Sequence, residues 1–169
     1  MTDGSATNGY VPDRMSYRSS RLVVRTVDGM TDTFDFDGMN RKVITEFREN
    51  SGKVGGLFAG KRLALVHHTG AKSGVERIAP LLYHPEGDRI FIFASKGGSD
   101  ENPAWYHNLV ANPKITVELG TETFAAIAQV ITGAERDTIY ATNAALEPQF
   151  ADYQRRTDRV IPVIELVRA

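Results

Sequence analysis

The feature that most constrains the fold is a series of strand-like segments, from residue 62 onwards, with few helices between them. In the segment KITVELG, the apolar residues Ile115, Val117 and Leu119 alternate with polar ones, as in a half-buried β-strand. The other segments of this kind are RLALVHH, ERIAPLLYH, RIFIFAS, TETFAAIAQVI and VIPVIELV. A doubly wound parallel sheet would need a helix between successive strands. The pattern therefore predicts an α+β fold, a small barrel of mostly antiparallel strands with flanking helices.

Three segments between these strands predict helices. Asn102 is a good capping residue and Pro103 suits a first helical position, so a helix should start there and end near residue 111. The run TGAE at 132–135 has the form of a capping box and predicts a helix to about residue 146. A third, short helix is expected near residues 150–155.

The N-terminal part differs from the rest, and we expect an extension over residues 1–37 and a barrel domain over 38–169. Residues 1 to about 18 are small and polar, which is typical of a flexible leader. The run RLVVRTVDGMTDTFDFDG predicts a hairpin that turns at Asp28-Gly29. Val43 and Phe47 recur at helical spacing in NRKVITEFREN, so this helix packs on the domain or, alternatively, lies on a membrane surface. The glycine-rich segment SGKVGGLFAGK should be a loop.

Composition excludes several classes of protein. A chain of 169 residues with 41 % hydrophobic residues suits one domain with a real core. The net charge of −1 gives no general attraction for nucleic acid. The absence of cysteine excludes disulfides and thiolate catalysis. No apolar run approaches the roughly 20 residues that span a bilayer, and no secretory signal is visible, so a cytoplasmic protein is expected.

A lysine stands in each of two glycine-containing turns. In the first, Gly70 and Gly74 free the backbone around Lys72 and Ser73, and Arg77 begins the next strand. An ammonium, a hydroxyl and a guanidinium together suit a phosphate. No glycine directly precedes the lysine, so this is not a Walker loop.

The second turn contains Ser95 and Lys96, followed by Gly97, Gly98 and the start of a helix. Backbone amides at such a helix start attract anions. If both turns lie at the same end of the sheet, their charges add to form one anion site. Alternatively, each is an ordinary surface connection.

Other residues could contact a planar ligand. Pro80 inside a strand marks an edge or a bulge, where the backbone groups of Ala79 and Leu81 should be available. Trp105 and Asn108 share one helix face, where they stack on and hydrogen-bond a ring or, alternatively, pack against the core. The four histidines do not form a metal site, and no nucleophile elbow or carboxylate pair is present, so the chemistry should come from a cofactor.

Three segments together, HTGAKSGVERIAPLLY, FASKGGSDENPAWYHNLVANP and DYQRRTDRVIPVIEL, resemble the deazaflavin-dependent nitroreductase family. The resemblance runs from about residue 43 to residue 167. It implies a split β-barrel that uses coenzyme F-420 and transfers a hydride from the reduced coenzyme to a quinone or a nitro-type acceptor.

The resemblance also implies a role for each segment. Lys72, Ser73 and Arg77, with Lys96 nearby, would hold the phosphate and acidic tail of the coenzyme. The deazaflavin ring would lie against Ile78, Ala79, Pro80, Leu81, Leu82, Phe93, Ala94, Ser95, Ala104, Trp105, Tyr106, His107 and Asn108.

On the acceptor side, the resemblance implies a pocket formed by Leu82, Phe150 and Tyr153. The Ser95 hydroxyl is the first candidate to stabilise negative charge on the acceptor oxygen, and the Tyr153 hydroxyl is the second. Relatives that reduce bicyclic nitroimidazoles carry tyrosines where Leu82, Glu147 and Phe150 stand here. Efficient reduction of those compounds is therefore not expected.

Two alternatives remain at this point. The chain could bind the deazaflavin without turnover, or it could be a split-barrel oxidoreductase that depends on flavin mononucleotide. The expected partner is a small-molecule acceptor and not a nucleic acid. Peripheral attachment to a membrane is an alternative that the N-terminal residues do not support, because they do not resemble the leader of the family. The oligomeric state is not predicted.

Overall fold

The computed structural model describes residues 21–25 and 31–169, with side chains from Asp37 onwards. The expected flexible leader and the Asp28-Gly29 turn lie outside the described residues. Strands β1 (Arg21–Arg25) and β2 (Thr31–Asp35) pair antiparallel, as expected for the predicted hairpin. The chain divides into two compact units, residues 1–39 and 40–169. The expected boundary at residue 37 stays a prediction.

Six strands close into a barrel in which every neighbouring pair is antiparallel. Their order around the barrel is β3-β4-β5-β8-β7-β6. The strands are β3 (Leu63–Thr69), β4 (Glu76–Glu86), β5 (Arg89–Phe93), β6 (Lys114–Leu119), β7 (Glu122–Ile131) and β8 (Val163–Arg168). The predicted α+β barrel is confirmed.

Helices cover parts of the barrel. They are α1 (Phe36–Glu49), α2 (Ala104–Ala111), α3 (Gly133–Leu146) and α4 (Gln149–Arg155), with short 3-10 turns at Gly56–Phe58 and Lys96–Gly98. In α1, Val43 and Phe47 are buried. This burial favours the helix that packs on the domain over the membrane-surface alternative, which needs an exposed apolar face. None of the helices in the described ranges is both long and apolar enough to cross a bilayer.

The predicted side-chain caps are wrong. Asn102 does not cap α2, because its side-chain oxygen instead accepts a hydrogen bond from Nη1 of Arg159 at 2.7 Å. Thr132 is the N-cap residue of α3 but makes no side-chain capping bond. Its expected partner Glu135 lies 2.9 Å from Nη2 of Arg89 instead. In both cases the side chain that the sequence predicted as a cap contacts an arginine instead of the helix N-terminus.

The buried apolar side chains form two clusters, one inside the barrel and one between the barrel and helices α3 and α4. On β5, Ile90 and Ile92 point into the barrel, while Phe91 and Phe93 point outwards to α3 and α4. Because both faces of this strand are covered, its sequence is continuously apolar rather than alternating. The outer core also holds Ile131, Ile139, Tyr140, Phe150, Ile161 and Val163.

Candidate functional site

The first lysine turn, residues 70–75, joins β3 to β4. The Gly74 N–H donates to the Gly70 carbonyl at 2.9 Å, and a side chain at Gly70 would collide with Oγ of Ser73. Lys72 and Arg77 are exposed, and neither side chain forms a hydrogen bond or ion pair with any residue that the structure describes. Their charges are therefore available to an anion.

Helix α2 holds this turn in place. Oδ1 of Asn108 accepts from the Ala71 N–H at 2.9 Å, and its Nδ2 donates to Nδ1 of His68 at 3.0 Å. Nδ2 of Asn112 donates to the Thr69 carbonyl at 3.3 Å. Both polar atoms of the Asn108 amide are therefore bonded to the turn or to the strand that leads into it. Its expected contact with a ring stays a prediction.

His68 is the buried partner in this arrangement. Burial, and then the nearby charge of Arg77, lowers the pKa of His68 to about 4. The ring is therefore neutral at pH 7, and Nδ1 accepts the hydrogen bond that Nδ2 of Asn108 donates.

The second lysine turn follows β5 at residues 95–98. Lys96 and Gly98 have φ of +44° and +82°, in the left-handed region. A Cβ added at Gly98 would lie 2.7 Å from the Tyr153 carbonyl of α4, so this backbone packs tightly. The Lys96 side chain is only 10 % exposed, and Nζ lies 3.5 Å from Oε2 of Glu101. The second lysine is therefore more enclosed and more constrained than the first.

Arg159 organises the second turn, and sequence reasoning missed it. Its guanidinium donates to the Ala94, Ser95 and Ser99 carbonyls at 3.1, 2.9 and 2.7 Å. The segment DYQRRTDRVIPVIEL contains Arg159, but nothing near it in sequence indicates partners some 60 residues earlier. The only available signal was its place in a segment that carries the family resemblance.

The two turns lie at the same end of the barrel. Strands β4 and β5 run antiparallel, and Tyr83 pairs with Ile92. The chain that continues from β5 to Lys96 therefore runs back towards the start of β4, where Lys72 lies. Helix α2 follows the second turn and contacts the first through Asn108. Both turns therefore lie where one anion site would need them, and the shared site itself stays a prediction.

Between the turns, β4 has an open edge. Strand β5 pairs with β4 only over residues 83–86, so within the described chain residues 76–82 pair on one side only, with β3. The Tyr83 N–H donates to the Arg62 carbonyl, next to β3, at 3.1 Å. Backbone groups alternate in direction along a strand, so Ala79 and Leu81 also bond towards β3. The expectation that these two residues offer free backbone groups is wrong.

Ile78 and Pro80 instead turn their backbone groups away from β3. Proline has no N–H, so it fits this unpaired position. The prediction that Pro80 marks an edge is confirmed. The open groups are the Ile78 N–H and the carbonyls of both residues.

The residues expected to line the acceptor pocket belong to the outer core. Leu82 and Tyr153 pack against the cluster that contains Phe93 and Phe150. The Phe150 ring centroid lies 5.4 Å from that of Tyr153 and 5.5 Å from that of Phe93. Burial raises the pKa of the Tyr153 hydroxyl, so it is protonated at neutral pH. The structure therefore brings the three residues together, with Phe150 buried and Leu82 and Tyr153 partly buried.

The remaining predicted residues divide by burial. Ala79 and Ala94 are buried, whereas Ala104 and His107 are exposed. Leu81, Trp105 and Tyr106 pack against the core inside the barrel. Trp105 thus packs as the alternative interpretation held, and it also stays partly accessible.

Three of the histidines, His67, His68 and His84, form polar side-chain contacts. His67 lies between Glu76 and Glu118, at 3.0 and 2.7 Å, and Glu118 also accepts from Arg48 at 2.6 Å. No group of histidines and carboxylates that could hold a metal ion occurs in residues 37–169, whose side chains the structure describes.

Comparison with known proteins shows the family to which the chain is similar. Residues 39–167 match the family model of the F-420H(2)-dependent quinone reductases. An F-420H(2)-dependent quinone reductase of Mycobacterium tuberculosis is 37 % identical over 128 residues, which cover 72 % of this chain and 85 % of that protein.

Solved structures give the same result. One described as an F-420-H2 dependent reductase has a TM-score of 0.58 and 37 % identity, and the match covers 62 % of this chain and 93 % of that one. Another, described as a domain-swapped dimer, has a TM-score of 0.60 and 33 % identity, with 78 % and 97 % covered. A heme storage protein from Vibrio cholerae, 13 % identical with a TM-score of 0.50, shares the fold alone.

Proposed function

The chain belongs to the F-420H(2)-dependent quinone reductase family, and on this premise we propose that it transfers a hydride from reduced coenzyme F-420 to a quinone. One observation carries the proposal for this chain's own residues. The exposed, unpaired cations Lys72 and Arg77 lie at the same end of the barrel as Lys96, beside an unpaired strand edge.

The described residues fit this coenzyme. Its phosphate and acidic tail are anionic, and the first turn offers two cations that no carboxylate in the described chain neutralises. Lys72, Ser73 and Arg77 would hold that part of the coenzyme, with Lys96 contributing charge from the second turn. The Ile78 N–H and the Ile78 and Pro80 carbonyls would bind the polar edge of the ring.

Reduced F-420 supplies the hydride when it is bound. The protein must place the acceptor against it and stabilise the charge that develops on the acceptor oxygen. Leu82 and Tyr153, which are partly buried and pack against the core that holds Phe150, would give a quinone ring an apolar contact. The Tyr153 hydroxyl, held protonated by burial, and the Ser95 hydroxyl are the groups that would donate a hydrogen bond to that oxygen.

Two experiments test the proposal. The affinity of the chain for oxidised F-420 and for flavin mononucleotide is measured by titration, and a preference for F-420 is expected. Reduced F-420 is then supplied with a soluble quinone, and its reoxidation is followed against a protein-free control. Preference for flavin mononucleotide would support the flavin alternative. Tight F-420 binding without faster reoxidation, across a panel of quinones, would support a binding protein without turnover.

A further inference from the structure

The guanidinium of Arg159 contacts both sides of the second lysine turn. Nη2 donates to the Ala94 and Ser95 carbonyls before the turn, at 3.1 and 2.9 Å, and Nε donates to the Ser99 carbonyl after it, at 2.7 Å. Nη1 donates to Oδ1 of Asn102 at 2.7 Å. One side chain therefore fixes the segment on which Lys96 stands at four points.

The turn needs such a contact. Lys96 has φ of +44°, a conformation that residues with a side chain adopt rarely and that persists only where the surroundings hold it. Inside the turn, the Gly98 N–H donates to the Ser95 carbonyl at 2.9 Å and the Ser99 N–H to the Lys96 carbonyl at 3.1 Å. Arg159 also donates to the Ser95 carbonyl, so the guanidinium and the Gly98 N–H share one acceptor and hold it in place together.

The hydrogen-bond partners of the guanidinium also distinguish Arg159 from an ordinary ion pair. All four are neutral oxygens, three carbonyls and one amide, so no carboxylate is bonded to it. Only the planar fork of arginine offers donors to four acceptors spread over nine residues of chain. A lysine there would keep the charge but reach fewer of these oxygens.

We propose that Arg159 is a positioning residue for coenzyme binding, which holds Ser95 and Lys96 in the conformation that meets F-420. This inference rests on the proposed function. It adds a role for a residue that lies behind the turn and contacts the coenzyme only through it.

Arg159→Lys and Asn102→Ala test the inference. The first keeps the charge, and the second removes one acceptor and no charge, which provides a variant if the first folds poorly. Arg155→Lys is the matched control, because Arg155 is exposed on α4 and bonds to Asp152. Two quantities are measured on each full-length variant: hydrogen exchange at the Gly98 and Ser99 amides without coenzyme, and the dissociation constant for oxidised F-420.

For Arg159→Lys we expect exchange at both amides, and the dissociation constant, to rise about tenfold or more. Asn102→Ala should move both in the same direction by less, and Arg155→Lys should match the parent chain. In a Lys96→Ala background, Arg159→Lys should add little to the dissociation constant, since Arg159 acts through the turn. A purely structural role would instead leave the dissociation constant of the folded variant unchanged in both backgrounds.

A folded Arg159→Lys that binds F-420 as the parent chain does would overturn the inference and leave the proposed function standing. Full additivity with Lys96→Ala would also overturn it. Failure of the parent chain itself to bind F-420 would overturn the proposed function first, and the inference with it.

Discussion

Asn108 donates from Nδ2 to Nδ1 of His68 across 3.0 Å, and this bond joins α2 to the strand that enters the first lysine turn. The bond needs a neutral imidazole, because a protonated ring has no acceptor nitrogen. The position of Lys72 is therefore linked to the protonation state of a histidine inside the end of the barrel.

Stability should fall with acid because of His68. Its pKa is about 4 in the folded chain against 6.5 in the unfolded one, so below 6.5 the unfolded chain binds more protons than the folded chain. The stabilisation is complete above pH 6.5 and is lost as the pH falls towards 4. The loss should reach about 2–3 kcal/mol, measured by urea denaturation at pH 7 and pH 4.5. His68→Gln should show a smaller loss over this interval, whereas His107→Gln, at an exposed histidine, should behave as the parent chain.

Removal of either free cation should weaken coenzyme binding. Lys72→Ala and Arg77→Ala should each lower the affinity for F-420 by about 1–3 kcal/mol, because each loses a charge-assisted contact. Both residues are exposed, so the melting temperature should hardly change. Lys53→Ala is the control, since residue 52 packs against Gly120, at the opposite end of β6 from the turns. A variant at 72 or 77 that binds like the control would remove that residue from the site.

Two adjacent glycines should respond differently to alanine. At Gly98, a Cβ would lie 2.7 Å from the Tyr153 carbonyl and φ is +82°, so Gly98→Ala must displace the turn or α4. At Gly97, φ is +62° but a Cβ would meet nothing within 4 Å. Thermal unfolding should show a loss of about 1–2 kcal/mol for Gly97→Ala, from backbone conformation alone. The loss for Gly98→Ala should be clearly larger, and equal losses would contradict the close packing against α4.

The Tyr153 hydroxyl should affect turnover rather than coenzyme binding, whereas the Ser95 hydroxyl also lies in the turn that would contact the coenzyme. If the Tyr153 hydroxyl donates to the acceptor oxygen, Tyr153→Phe should lower kcat about tenfold to a hundredfold and leave the affinity for F-420 unchanged. Ser95→Ala tests the other donor in the same assay. Leu146→Ala, at a largely exposed position, is the control for general effects of substitution. Unchanged kcat in both hydroxyl variants would show that another group, or water, donates the hydrogen bond to the acceptor oxygen.

Much of the fold could be predicted from the sequence because its signals are local. Alternation in KITVELG, the apolar strands and the turn residues indicated the six barrel strands, and Pro80 indicated the open edge. The failures came from contacts that are distant in sequence. Asn102 accepts a hydrogen bond from Arg159 instead of capping α2, and Glu135 forms an ion pair with Arg89 instead of completing the capping box. No local pattern reveals a partner that only the closed barrel brings close.

The site shows the same division. The lysines and glycines in the sequence predicted both turns. The direction of the backbone groups at Ala79 and Leu81, however, depends on which neighbouring strand pairs with β4. The Tyr83–Arg62 bond, set by the register with β3, decides it. The close approach of the second turn to α4 likewise joins residues far apart in sequence, since a Cβ at Gly98 would lie 2.7 Å from the Tyr153 carbonyl.

The central claim is that the cations of two turns at one end of the barrel bind the anionic part of F-420. The most direct measurement compares the affinity of the parent chain for F-420 with its affinity for the same deazaflavin without phosphate and acidic tail, at low and high salt. The account predicts that F-420 binds at least tenfold more tightly at low salt and that the difference shrinks as salt rises. Equal affinities at both salt concentrations would contradict it.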